Sequence, residues 1–524
     1  MAAGVPNIRK LESALLVNRA ELFRFGTAVL FVIVIMIFAV SRGATGPHGL
    51  LLVAAAMIGG YMALNIGAND VANNVGPAVG SHAITLTGAI VIAASFEAGG
   101  ALIAGGDVVG TIKSGIIDPA LIPDATTFIW LMTAALLAAA LWLNLATALG
   151  APVSTTHSIV GGVLGAGIAA GGFGIADWAE VGRIVASWVI SPVLGGLIAA
   201  GFLYIIKRRI TYQSDLMAAA ERTVPMLIAL MAWSFTTYLL LKGLKQLWSV
   251  SFLTAALIGL VLAGVAWFVM RRHVASSAPR VPNTKGGVNE LFTVPLIFAA
   301  ALLSFAHGAN DVANAVGPLA AINDAVSSGG VASKAHIPIW VMLVGAIGIA
   351  LGLALFGPKL IRTVGSEITE LDRARAFCVA LSAAITVIVA SQLGLPVSST
   401  HIAVGGVFGV GFLREYLKVS YARMIEEIRE HHADADAAAV EAFLARFEAA
   451  KVSERQLMLR QMKGQSGGAT LRKKERKGLR NINRIELVKR SLLLRIAAAW
   501  LITVPATAIV GAMIFFMLRG AMLP

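Results

Sequence analysis

Hydrophobic residues in this chain neither alternate with polar ones nor recur at the period of a surface helix. They gather in blocks separated by short polar or Gly-rich clusters. A block of about 20 apolar residues is the length of a helix that crosses a bilayer. Such blocks fall at 25–42, 50–66, 83–104, 183–206, 225–241, 250–270, 292–306, 337–356 and 494–518, and each predicts a spanning helix. The second and the seventh run on into polar, Gly-rich motifs. Two further stretches, 128–172 and 375–413, each hold two apolar arms around a Gly/Pro/Ser/Thr centre, and read as re-entrant hairpins or broken helix pairs.

Composition narrows the class. Of 524 residues, 57% are hydrophobic and 13% charged, about half the ~25% charged content of soluble proteins. Disorder and a soluble multidomain enzyme are thereby excluded. A transmembrane barrel would show ~10-residue alternating segments with aromatic girdles, and none is present. The 54 glycines instead suit helices that approach closely in lipid. The single cysteine, Cys378, excludes an intramolecular disulfide and a multi-cysteine zinc site, and reads as a small packing residue.

The chain carries a net charge of +14, and the positions of the basic clusters set an orientation. They lie at 9–24, at Lys207-Arg208-Arg209, from Arg271 through Lys285, from Lys359 to Arg375, and from Arg414 onward. All fall on one side if each hairpin returns to the side it entered from, and that side is expected to be the cytoplasm. The N-terminus is then inside and the C-terminus outside, in a multi-pass protein of the plasma (inner) membrane. Basic residues ahead of the first apolar run, with no small-residue cleavage site after it, predict no secretory signal. The polar stretch 414–490 holds 18 Lys/Arg against 11 Asp/Glu, a net +7. Its first part reads as helix, through about Met462. Its basic run Arg472-Lys473-Lys474-Glu475-Arg476-Lys477 precedes a span, so it is read as contacting lipid headgroups rather than nucleic acid. The expected units are a tail at 1–24, an additional N-terminal helix and loop at 25–49, a first repeat at 50–206, connecting helices and basic loops at 207–290, a second repeat at 291–413, the basic helical segment 414–490, and a C-terminal span at 491–524.

The repeat is the most specific feature. Residues 67–80 read GANDVANNVGPAVG and 308–321 read GANDVANAVGPLAA, identical at 10 of 14 positions. Residues 150–167 read GAPVSTTHSIVGGVLGAG and 394–411 read GLPVSSTHIAVGGVFGVG, identical at 12 of 18. The offsets, 241 and 244 residues, nearly agree. In the charge-derived topology the two copies run in opposite directions. Inverted repeats with interrupted apolar segments at matching places mark secondary transporters, with the site near the midplane. The fold class is therefore an all-α polytopic membrane protein, an inverted-repeat transporter with two re-entrant helical hairpins.

The polar motifs suggest a chemistry. Asp70 and Asp311 sit in apolar surroundings, where a carboxylate needs a partner or a water-filled cavity. Asn69, Asn73, Asn310 and Asn314, with Gly67, Gly76, Pro77, Gly308, Gly317 and Pro318, weaken a regular helix and are expected to free backbone carbonyls. Amide and carboxylate oxygens around a helix break suit Na+ or another hard cation. The alternative is that each Asp merely caps a break. In each hairpin Pro152 or Pro396 precedes a run of hydroxyls, Ser154, Thr155 and Thr156 in one and Ser398, Ser399 and Thr400 in the other, and then a Gly-studded apolar run. This is a helix start, whose unpaired N–H groups and partial positive charge favour an oxyanion. The alternative is plain N-capping. His157 and His401 either couple protons or are packed helix histidines. Glu97 is a lone carboxylate with no counterpart in the second half, a further candidate for coupling. Asp107 and Lys113, at the outer end of their span, read as surface residues.

At these motifs the chain resembles the PiT family of inorganic phosphate transporters, through GANDVANNVG at 67–76, GANDVANAVG at 308–317, PVSTTH at 152–157 and PVSSTH at 396–401. The resemblance covers about 50–415 plus the last span. It implies phosphate symport with Na+ or H+, an elevator-like movement and a homodimer, with no cofactor beyond the coupling ion. It places phosphate at Ser154, Thr155, Thr156, Ser398, Ser399 and Thr400, and cations around Asn69, Asp70, Asn310 and Asp311. A sulfate permease of the same architecture is the nearest alternative. An intramembrane aspartyl protease built on the two aspartates lacks the expected Gly-x-Gly-Asp segment and leaves the duplicated hydroxyls unexplained. A Ser/His hydrolase lacks a G-x-S-x-G frame. A channel fits the two interrupted halves less well than alternating access does.

Overall fold

The computed structural model describes residues 8–42, 46–148, 153–243, 250–328, 337–367, 371–431, 437–449, 458 and 490–522. The basic run at 472–477 and Pro152 lie outside them. Among the described residues, regular structure is helical apart from one isolated β-bridge, and 11 helices are long and apolar enough to cross a membrane. Two of these are the first arms of the hairpins, Ala125–Thr147 and Arg373–Gln392, and the others coincide with the apolar blocks of the sequence.

The first repeat comprises α2 (Gly46–Asn69), α3 (Val71–Gly80), α4 (Leu86–Ala104), a short α5 (Gly106–Ser114), a hairpin of α6 (Ala125–Ala148) and α7 (Thr155–Gly171), and α8 (Trp178–Ile206). It is preceded by α1 (Ile8–Ser41). The connection is α9 (Leu216–Tyr238), α10 (Phe252–Ser277) and α11 (Lys285–Leu291). The second repeat follows as α12 (Thr293–Asp311), α13 (Ala313–Ser328), α14 (Ile339–Glu367) and a hairpin of α15 (Arg373–Gln392) and α16 (Ser399–His431). Beyond it lie α17 (Ala437–Ala449) and the last helix α18 (Arg490–Met522). Helices α12, α13 and α15 are nearly all buried, whereas α1, α10 and α18 are peripheral, with most of their apolar side chains facing outward as in lipid-facing helices. The end of α16 and α17 form a satellite cluster on Ile425, Ile428, Phe443, Leu444 and Phe447, so the polar segment is helical over 414–431 and 437–449, and most of the remaining stretch to Met462 lies outside the described residues.

Matching elements pack against each other crosswise. Helix α2 lies along α14 and α12 along α4; α8 lies along α16 and α18 along α7. The glycines explain how closely they approach. A Cβ on Gly67 would collide with the carbonyl of Ile349, and one on its counterpart Gly308 with that of Glu97. Glycine here removes the side chain that would hold two backbones apart.

Hairpin geometry follows from what closes each base. An antiparallel bridge joins Ile117 to Ala176, with Asp118 N donating to Ile175 O (2.8 Å) and Asp177 N donating to Ile116 O (3.0 Å). The first hairpin thus leaves where it entered. The second also closes on itself, since Asp372 and Arg375 at its start and Arg414 on its returning arm line one cavity with Lys207. Helix α8 starts beside the first base and ends at the second. The hairpins therefore enter from opposite ends of α8, whose 29 residues span roughly 43 Å at 1.5 Å per residue.

Candidate functional site

The two tips meet. Thr156 Oγ1 donates to Val397 O (3.0 Å), and Trp188 Nε1 on α8 donates to Pro396 O (2.9 Å). Each returning arm starts with a serine cap, Ser154 Oγ accepting from His157 N (3.2 Å) and Ser398 Oγ from His401 N (3.4 Å). Capping and candidate binding thus coexist, because each serine satisfies one amide of its own first turn while the neighbouring threonines face the acidic motifs. All six predicted tip hydroxyl residues are buried.

Both aspartates lie against these tips. Thr155 Oγ1 donates to Asp70 Oδ2 (2.7 Å) and lies 3.4 Å from Asp311 Oδ2, and Thr400 Oγ1 lies 3.4 Å from Asp70 Oδ1. Asn73 Nδ2 donates to Thr400 Oγ1 (2.8 Å), and Asn314 Nδ2 reaches Thr155 Oγ1 (3.1 Å) and Thr156 Oγ1 (3.2 Å). Each asparagine thus bridges one copy of the acidic motif to the opposite copy's hairpin. Asn310 is held differently: Nδ2 donates to Ser391 Oγ (2.9 Å) and Leu395 O (3.1 Å), while Oδ1 accepts from Val397 N (3.2 Å). Its amide fixes the backbone of the second tip.

The helix interruption is shallower than the motif predicts. Asp70 keeps right-handed helical angles (φ −86°, ψ −37°) and Asn73 N bonds back to Asp70 O (3.0 Å), a local tightening rather than an unwound stretch. In the second copy the break falls at Val312, between α12 and α13. The carbonyls that lose a donor are those of Asn73 and Asn314, four residues before Pro77 and Pro318, because proline has no N–H.

A residue the sequence reading passed over completes the cluster. His307 lies between the two acids, with Nδ1 2.7 Å from Glu97 Oε2 and Nε2 3.1 Å from Asp311 Oδ2. Asn74 Nδ2 donates to Glu97 Oε1 (2.8 Å). In the first copy the residue equivalent to His307 is Ile66, and the residue packed like Glu97 is Ile349. The pair is therefore polar in one half and apolar in the other. The signal was a histidine directly before a GAND motif, hidden because comparison of repeats rewards identities.

Ligand atoms of Asp70, His307 and Asp311 lie within 4.8 Å of one another, all three residues buried. Two carboxylates at that range in a buried site repel unless a positive charge joins them. Asn69 Nδ2, Asp311 Oδ1, Asn314 Oδ1 and Ser399 Oγ are buried without a hydrogen-bond partner among the described residues. Buried polar atoms are normally satisfied, so the donor set fits a hard cation and an oxyanion. His157 and His401 sit behind the tips, their rings 4.7 Å apart, with His157 3.8 Å from Trp188. Asp107 and Lys113 are not plain surface residues. Lys113 is buried in an ion pair with Asp324, and Asp107 pairs with Lys242. Their partners lie far along the chain, beyond any local pattern.

Crosswise-packed helical halves, with buried acids and hydroxyls gathered where two hairpins touch, define the class as a polytopic membrane transporter rather than an enzyme. The comparisons specify it further. Residues 66–511 match the family described as PHO4: Phosphate transporter family, and the chain belongs to that family. A Helicobacter pylori protein named "Putative phosphate permease" is 53% identical over 522 residues, covering 98% of each chain. A Pyrococcus horikoshii protein of similar name is 40% identical over 362 residues, 68% of this chain and 87% of its own. The structure described as the sodium-dependent phosphate transporter superposes with a TM-score of 0.74 at 33% identity, covering 90% of this chain and 100% of its own. The chain is thus a multi-pass membrane protein of a phosphate transporter family.

Proposed function

We propose that the chain imports inorganic phosphate by symport with a cation, Na+ or H+. In this reading the anion is held between the tips by Ser154, Thr155, Thr156, Ser398, Ser399 and Thr400. The cation lies beside it among Asn69, Asp70, Asp311 and the second motif at Asn310, with Asn73 and Asn314 as links. The observation that carries the reading is the convergence of both duplicated motifs: helix starts from opposite hairpins bring buried hydroxyls against two carboxylates. No Lys or Arg lies in either tip motif. A bound phosphate would be balanced by helix ends and the cation, so each would favour the other's binding, which is a coupling free energy. Glu97 and His307 extend the charged cluster on one side and could carry a proton. The sodium-dependent neighbour supports Na+ as the first cation to test.

The same reading makes the halves inverted repeats, puts the N-terminus in the cytoplasm and the C-terminus outside the plasma membrane, and expects a homodimer. The opposite insertion of the hairpins along α8 supports the inversion. The test is uptake of radiolabelled phosphate into proteoliposomes under separately imposed Na+ and H+ gradients, with sulfate as competitor. Phosphate accumulation driven by one gradient and resistant to sulfate is expected. Sulfate that competes equally would move the substrate to oxyanions at large, and no gradient-driven accumulation would remove the symport reading.

A further inference from the structure

Helix α5 belongs to neither an acidic motif nor a hairpin, yet it touches the second tip. Its Thr111 Oγ1 donates to Gly394 O (2.7 Å), in the turn that ends α15, where Gly394 takes a left-handed φ of 70°. The two ends of α5 are held by ion pairs of opposite sense. Asp107 in its first turn pairs with Lys242, at the end of the span Leu216–Gly243, and Lys113 in its last turn pairs with Asp324 on α13. Between them, Ile112 fills the space that a Cβ on Gly317 of the second acidic motif would need (2.8 Å). Helix α5 leads directly into residues 116–118 at the base of the first hairpin. It therefore lies between the face where that hairpin enters and the tip of the hairpin that enters from the other face.

The segment is built to move as a unit. A helix of nine residues does not hold its place without tertiary anchors. Glycines flank it, Gly105 and Gly106 before its first turn and Gly115 after its last. Val312 and Met342 leave no room for a Cβ at Gly105, and there the helix divides. In the second half α14 runs unbroken for 29 residues, whereas the first half splits the same length into α4 and α5. Hinges are commonly a few residues at element ends, often small ones.

The ion pairs suit a contact that has to open. The Lys113 and Asp324 side chains are only 5% and 11% exposed. Apolar residues of similar size would hold α5 to α13 at least as well. What an ion pair adds is its response to water. It is strong while water is excluded, and worth little once both charges are solvated. Such a latch opposes the first step of opening and hardly opposes the rest.

We propose that α5 is a hinged lid over the second hairpin tip, latched by Lys113–Asp324 and Asp107–Lys242, whose release opens the tip to the face where the first hairpin enters. This rests on the reading of the tips as the transport site. The experiment measures access to the tip, with the full chain in intact cells and in inverted membrane vesicles. Ser391, buried one turn before Gly394 and accepting from Gly394 N through its carbonyl (3.0 Å), carries the reporter. Ser391→Cys is made alone and together with Lys113→Gln or Asp324→Asn. Reaction with a charged, membrane-impermeant maleimide is followed by peptide mass spectrometry, with the buried native Cys378 as internal control. A separate variant, Ala120→Cys, exposed at the base of the first hairpin, shows which preparation presents that face.

From the face where Ala120→Cys reacts, either latch variant should speed reaction at Ser391→Cys about tenfold or more. The rate from the other face should not change, and Cys378 should stay unreactive. An unchanged rate, a gain from the other face, or reaction at Cys378 overturns the lid, the last because it means general loosening. Should neither latch variant reach the membrane, Lys242→Gln, at the less buried pair, decides by the same comparison. The readout needs neither phosphate nor an ion gradient, so failure of the lid and failure of symport are told apart.

Discussion

Thr155 Oγ1 stands between Asp70 and Asp311, so one hydroxyl links two acids from different halves of the chain. Replacing either acid by its amide keeps the shape and removes the charge that would hold a cation. Asp70→Asn and Asp311→Asn are each expected to abolish gradient-driven phosphate uptake while the protein still reaches the membrane, as checked by uptake alongside surface labelling. Full transport in both variants would leave the acids without a coupling role. At the tips, Thr156→Ala or Ser398→Ala removes one hydroxyl near the proposed anion. A hydrogen bond to a charged group contributes about 1.5–3 kcal/mol, so the half-saturating phosphate concentration should rise about tenfold or more, and an unchanged value would move the anion elsewhere. At this scale the duplicated residues could be read from the sequence, because Asp70 matches Asp311 and Ser154 matches Ser398. What could not be read was asymmetry and long-range pairing. His307 matches an isoleucine, and Lys113 meets Asp324 211 residues away.

Between elements, the sequence predicts the hairpins from their Gly/Pro/Ser/Thr centres, but it does not say which helices they lie against. Glycine faces settle that. A Cβ on Gly165 would strike the carbonyl of Ala508 on α18, and one on Gly409 the carbonyl of Gly196 on α8. Gly165→Ala and Gly409→Ala are therefore expected to destabilise by about 1–3 kcal/mol or more, seen as a lower melting temperature in detergent, although neither residue touches the acids. The α4–α12 contact behaves differently, because the Glu97–His307 pair is buried with both side chains fully shielded. Removing one member of such a pair costs about 3–5 kcal/mol, whereas replacing both with apolar residues is often neutral. The other half shows that the same contact is compatible with two isoleucines, Ile66 and Ile349. Glu97→Ile and His307→Ile should each lower thermal stability, and the double variant should recover most of the loss while its uptake loses its wild-type cation dependence. A double variant as unstable as the singles would show that the pair is needed to build the helix contact, and not only to charge it.

Across the whole molecule, α8 acts as a ruler. Its first turn is fixed to the base of one hairpin through Asp177, its middle touches the opposite tip through Trp188, and its end reaches the second base at Lys207. Roughly 43 Å of helix exceeds the ~30 Å hydrocarbon core, so the two bases belong on opposite faces of the membrane. In the proposed orientation basic loops put Lys207 inside, and the base of the first hairpin is then expected outside. Two exposed positions beyond the ends of α8, Gly174 and Gln213, read this out. Because the only native cysteine, Cys378, is buried, single cysteines can be introduced against a quiet background. Gly174→Cys should react in intact cells with a membrane-impermeant maleimide, and Gln213→Cys only after the membrane is opened. The opposite pattern would reverse the orientation and leave the fold intact. Labelling of both from one side would mean that α8 does not cross, and with it would go the opposed insertion on which the proposed binding of one anion by two helix starts depends.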